Sequence, residues 1–147
     1  MIRNRHRLTA LSIGMLAAGF ALGAALQPGS VVSAQPQKRV FEIRTYTANE
    51  GKLLDLNARF RNHTLRLFEK HGMTNVGYWS PQDVPLSQNT LIYVISHESR
   101  DAAKSNWDSF RTDPDWLKVQ KESEANGKLV AKVDSVFMDA TDYSPIK

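Results

Sequence analysis

The chain has 147 residues, 41% hydrophobic and 23% charged, close to the average for a soluble globular domain. It contains no cysteine, which excludes a disulfide framework, a thiolate metal site and a cysteine nucleophile. The formal net charge of +4 owes much to Arg3, Arg5 and Arg7: taking these three from the 19 basic residues leaves 16 against 15 acidic ones, so charge gives no argument for a nucleic-acid partner and none is expected.

The first 34 residues have three parts. Met1–Arg7 is basic, Leu8–Leu26 is uncharged and rich in Leu, Ala and Gly, and Val32–Ser33–Ala34 presents small residues before Gln35. This is the pattern of a signal peptide over residues 1–34, cleaved on export to leave a periplasmic or secreted protein. The competing reading is an uncleaved membrane tether, because the uncharged run approaches the ~20 residues that span a bilayer. That segment is the one expected membrane contact. Residues 35–39 read as a short polar linker containing Pro36.

Val40–Thr47 is expected to be a strand. Phe41, Ile43 and Thr45 share one face at period two; Glu42, Arg44 and Tyr46 share the other. Asn49 is a good N-cap for a helix from Glu50 to His71. Leu53, Leu56, Phe60, Leu67 and Phe68 form its apolar stripe, while Arg59, Arg61, Arg66, Glu69 and Lys70 are placed to stay wet. Gly72 stops the helix. Met73–Trp79 reads as the second strand, and Ser80–Asn89, with Pro81 and Pro85, as a loop. Thr90–His97 is the most apolar strand, apolar on both faces, and so central. Ser99 caps a helix to about Arg111 that turns Ala102, Ala103, Trp107 and Phe110 inward. Asp113–Pro114 restarts the helix, with Asp as cap and Pro in the first turn, and makes Trp116 and Val119 the buried candidates. Leu129–Asp139 is the last strand.

The order β-α-β-β-α-β is the ferredoxin-like plan of an α+β fold, an antiparallel sheet with both helices on one face. The sheet's open face would carry Glu42, Arg44 and Tyr46 beside the apolar third strand. A half-apolar open face needs cover, so two sheets are expected to pack face to face in a homodimeric α+β barrel.

The residues able to line a cavity are Glu42, Arg44, Tyr46, His63, Trp79, Tyr93 and His97. Arg44 could bind a carboxylate, Tyr46 could donate a hydrogen bond, and Glu42 or His63 could take a proton; the competing role of Glu42 and Arg44 is a structural ion pair. Tyr93 and His97 share a face of the central strand. Trp79 could clamp a flat ligand or fill core space. No HxH, HExxH or clustered carboxylate–histidine spacing is present, so no metal is expected.

Four stretches resemble the NIPSNAP family: Phe41–Thr47 (FEIRTYT), Leu67–Trp79 (LFEKHGMTNVGYW), Trp107–Trp116 (WDSFRTDPDW) and Val133–Pro145 (VDSVFMDATDYSP). The resemblance covers residues 40–145 and implies the ferredoxin-like fold and dimeric barrel. It implies no one reaction; relatives sharing the barrel include cofactor-independent monooxygenases and muconolactone-type isomerases, an analogy of fold. Two functions are therefore expected to compete. One is a homodimeric module that binds a small molecule or partner. The other is a small monooxygenase or isomerase acting on a carboxylated or phenolic compound with Arg44, Tyr46 and His63. Neither calls for a cofactor.

Overall fold

The computed structural model describes residues 39–147. The expected signal segment and the linker up to residue 38 lie outside the described residues. Four strands form one sheet: β1 (Val40–Ala48), β2 (Thr74–Trp79), β3 (Thr90–His97) and β4 (Val130–Met138). Their order across the sheet is β2-β3-β1-β4, and every pairing is antiparallel. With one helical crossover after β1 and another after β3, this is the ferredoxin-like α+β arrangement.

The first crossover is α1 (Leu53–Arg59), a π-helical turn (Phe60–Thr64) and α2 (Leu65–Lys70). The second is α3 (Arg100–Thr112) and α4 (Pro114–Ser123). Local chemistry sets most of their ends. The Ser99 hydroxyl accepts from the Ala102 amide at 3.0 Å, and the Asp113 carboxylate accepts from the Asp115 amide at 2.8 Å, with Pro114 opening α4. These bonds satisfy amides that a helix start leaves unpaired. Gly72 follows α2 with φ of +75°, a conformation that favours glycine. The expected cap at Asn49 is not used. Its side chain instead donates to the Lys128 carbonyl at 2.7 Å, and Gly51, φ +69°, turns the chain so that α1 begins at Leu53.

The core lies between the helices and one face of the sheet. Leu56, Phe60, Leu67, Phe68, Trp107 and Phe110 from the helices meet Ala48, Leu91, Tyr93 and Ile95 from the strands. Register then decides what β1 contributes. Glu42 pairs with Ile95, Arg44 with Tyr93 and Tyr46 with Leu91, so these three side chains share the helix-covered face. Glu42, Arg44 and Tyr46, expected on the open face, therefore face the helices instead. The reason is that partners for the charges lie on the covered side, including the Trp107 indole of α3.

The open face also carries an apolar layer, with Ser96 and Asp134 among it. Phe41, Ile43 and Thr45 lie there with Ile92, Val94, Val136 and Met138. Trp79 is 52% exposed and lies over Gly77, where an added Cβ would come within 2.6 Å of its ring. Ala140, Thr141, Ser144 and Ile146 border one end of this face with Phe41, Val76 and Trp79. Among the described residues no helix is long and apolar enough to cross a membrane.

Candidate functional site

Two neighbouring features sit on the covered side of β1: an aromatic cavity and a closed polar network. The cavity begins with the π-helical turn. The Thr64 hydroxyl donates to the carbonyl of Arg59, five residues back, at 3.3 Å, and the widened turn presents Arg59, Phe60 and Thr64 to one side. Single π turns inside α-helices recur at functional sites. Facing them are Phe68, Phe110 and Trp116 from the helices, Tyr46 from β1, and Val130 and Val133 from β4. With the polar side chains of Gln120, Glu124, Lys128 and Lys132 they line a cleft of about 350 Å³ that opens to solvent.

The rings are held by edge and tilted contacts. Phe60 lies 5.7 Å from Tyr46, 5.1 Å from Tyr93 and 6.1 Å from Phe68, and Phe110 lies 4.5 Å from Trp116. Such contacts fix the walls as well as bury them. Arg59, only 5% exposed, reaches Glu124 at 3.1 Å from Nη1, and its guanidinium stands 5.2 Å from the Trp116 ring. Its buried Nε has no hydrogen-bond partner. Lys128 stands at the mouth beside Glu124 and the exposed start of β4.

Tyr93 is fully buried, and burial pushes its hydroxyl well above the usual tyrosine pKa. It therefore stays protonated and donates to the Tyr46 hydroxyl at 3.1 Å.

The polar network centres on Glu42, which is 1% exposed. One carboxylate oxygen accepts from Arg44 and from Ser135, each at 2.6 Å; the other accepts from Trp107 Nε1 at 2.7 Å and meets His97 Nε2 at 3.2 Å. Burial alone would raise the Glu42 pKa, but the bonds from His97, Ser135, Trp107 and Arg44 override it and hold it at about 2. Every lone-pair direction is occupied, so Glu42 is a poor base. Arg44 completes the layer by stacking over Trp107, 4.3 Å from the ring centre.

Thus Glu42, Arg44 and His97 come together as one buried cluster, and Tyr46 and Tyr93 as a hydroxyl pair of which Tyr46 lines the cavity. Two candidates stand apart. His63 is exposed in a separate groove between α1 and α4, with Asp55, Asn62 and Glu122, because it projects from the outer side of the π turn. Trp79 belongs to the open face. Sequence reasoning missed Arg59, assigning it to the wet face. Its spacing from Leu56 and Phe60, three and one residues away, was the available signal, since it falls inside the apolar stripe. Among the described residues no three His, Asp or Glu side chains gather as metal ligands.

The NIPSNAP family model matches residues 41–145. A NIPSNAP family protein of unknown function from Agrobacterium tumefaciens has a similar structure, with 19% identity, a TM-score of 0.65, and 77% of this chain and 97% of that one covered. A NIPSNAP-like domain protein from Burkholderia xenovorans is similar at 14% identity and TM-score 0.64, over 74% of this chain and 90% of its own. At these identities the likeness is one of fold. Among curated proteins, none matches the chain.

Proposed function

The chain belongs to the NIPSNAP family, and from that premise we propose that it is an exported, homodimeric module that holds a small molecule between sheet and helices without turning it over. The observation that carries this reading is the cavity of about 350 Å³, walled by aromatic rings and open to solvent beside β4. Concave, mostly apolar sites with a few placed polar groups are where small ligands bind.

Turnover lacks a base at this place. His63 faces a different groove, His97 and Glu42 are buried in their own network, and Glu124 on the cavity wall is paired with Arg59. A general base must reach the proton it takes. The oxygenase or isomerase expected to use Arg44, Tyr46 and His63 together would find only Tyr46 at the cavity.

The dimer is supported by the open face, where Ile43, Ile92, Val94, Val136 and Met138 form an apolar layer that a second sheet would cover. Export is supported by the basic, apolar and small-residue order of residues 1–34.

Native mass spectrometry of the protein from its natural host tests the whole reading. The expected species is a dimer beginning at Gln35 that carries a small organic molecule, recovered chemically unchanged. Val133→Trp, which fills the cavity mouth from β4, should lose that mass and remain folded. A ligand-free wild type whose melting temperature is unmoved by a panel of small aromatic compounds would overturn the binding role.

A further inference from the structure

We propose that the cavity selects a planar aromatic carboxylate, its rings lying among Phe60, Phe68, Phe110 and Trp116 and its anionic oxygens met by the Tyr46 hydroxyl and the positive mouth at Arg59 and Lys128. This rests on the binding reading above and deepens it by naming the ligand class.

Size and walls come first. About 350 Å³ is at the small end of the range for ligand pockets, which suits one ring or two fused rings. The walls are the faces and edges of five aromatic side chains, with Tyr46 the fifth. Flat apolar surface is what such walls complement.

The polar atoms decide the rest, because donors outnumber acceptors. A buried hydroxyl must place its proton, and the partner of Tyr93 is Tyr46. Tyr46 therefore accepts there, and its own proton is left for another acceptor. Arg59 engages Glu124 and Ser123 through Nη1 alone, at 3.1 and 3.5 Å, while its buried Nε has no partner. Lys128 forms no ion pair among the described residues. Against these the wall offers one acid, Glu124, whose Oε1 already serves Arg59, and the amide of Gln120, which brings as much donor as acceptor capacity. Thr64 is spent on the Arg59 carbonyl. With Arg59, Lys128 and Lys132 against Glu124 the lining carries two net positive charges, of which that of Lys132 is matched by Asp134 at 2.8 Å. A ligand that suits it brings acceptor oxygens and one negative charge. A neutral aromatic would satisfy the walls and displace water from the inner donors without replacing its hydrogen bonds, which costs affinity.

Calorimetric titration of the purified protein with 2-naphthoate and 2-naphthamide separates the terms. The acid should bind about tenfold or more tightly than the amide, as a charge-assisted contact predicts. Lys128→Glu, at an exposed position, should weaken the acid severalfold and the amide much less. Tyr46→Phe alone would orphan the Tyr93 proton and cost stability. The double variant Tyr46→Phe/Tyr93→Phe removes both hydroxyls together, and should weaken the acid about fivefold, the worth of one hydrogen bond. Equal affinity for acid and amide overturns the carboxylate assignment while the binding reading stands. Binding of neither compound overturns the assignment too, and together with a ligand-free protein from the host it removes the reading beneath it.

Discussion

Replacing Glu42 by glutamine keeps the side chain's shape and removes its charge, and it should be among the most damaging conservative changes in the chain. In the native protein one carboxylate oxygen takes Arg44 and Ser135 and the other takes Trp107 and His97. An amide offers one oxygen, so its NH2 group must face two of those four groups. If the oxygen keeps Arg44 and Ser135, the buried Trp107 N–H loses its acceptor. The magnitude follows from the pKa, which folding brings from 4.5 to about 2. At about 1.4 kcal/mol for each tenfold change in an ionisation constant, the native surroundings favour the charged form by about 3 kcal/mol. An orphaned buried donor costs about 1 kcal/mol more. Because the folded pKa is depressed, this stabilisation is complete above about pH 4.5 and is lost as pH falls towards 2. Urea unfolding at fixed protein concentration should therefore show Glu42→Gln about 4 kcal/mol less stable than wild type at pH 7. The gap should narrow to about 1 kcal/mol near pH 2, because the wild type alone loses the charge term. A gap below 1 kcal/mol at pH 7, or one that does not change with pH, would refute the view that this carboxylate organises the layer.

Gly72→Ala should cost about 1–2 kcal/mol, from its positive φ and from a new Cβ placed 3.2 Å from the Asn106 side chain. Gly51→Ala has a similar φ of +69° and open space around it, so it should cost only the conformational part, about 1 kcal/mol; equal losses in thermal unfolding would show that the Asn106 contact is irrelevant. Val136→Glu places a charge in the apolar open face and should turn the proposed dimer into a folded monomer in sedimentation equilibrium, with its circular dichroism spectrum retained. A variant that still sediments as a dimer would locate the interface elsewhere.

Much of the fold can be read along the chain because its signals are local. Ser99 and the Asp113–Pro114 pair mark helix starts by the hydrogen bonds their side chains can make to nearby amides, and those bonds are present. Gly72 marks a stop through a conformation that other residues resist. β3 spans Thr90–His97, the range its apolar run suggests, and it lies between β2 and β1. The candidate site was legible in parts. Alternation grouped Glu42, Arg44 and Tyr46 on one face, and it grouped Tyr93 with His97, but it could not say which face the helices cover. A strand's period is two whichever side is buried.

The sequence by itself determined the element order, most of the caps and the grouping of side chains by face, because each depends on residues within a turn or two of one another. Tertiary structure alone decided that the charged face of β1 turns inward. Glu42 can be buried there because four groups from β1, β3, α3 and β4 converge on it across separations of up to 93 residues. The same holds for the cavity. The π turn, α4 and the first residues of β4 each supply one wall, and their meeting depends on packing between segments that no local pattern connects.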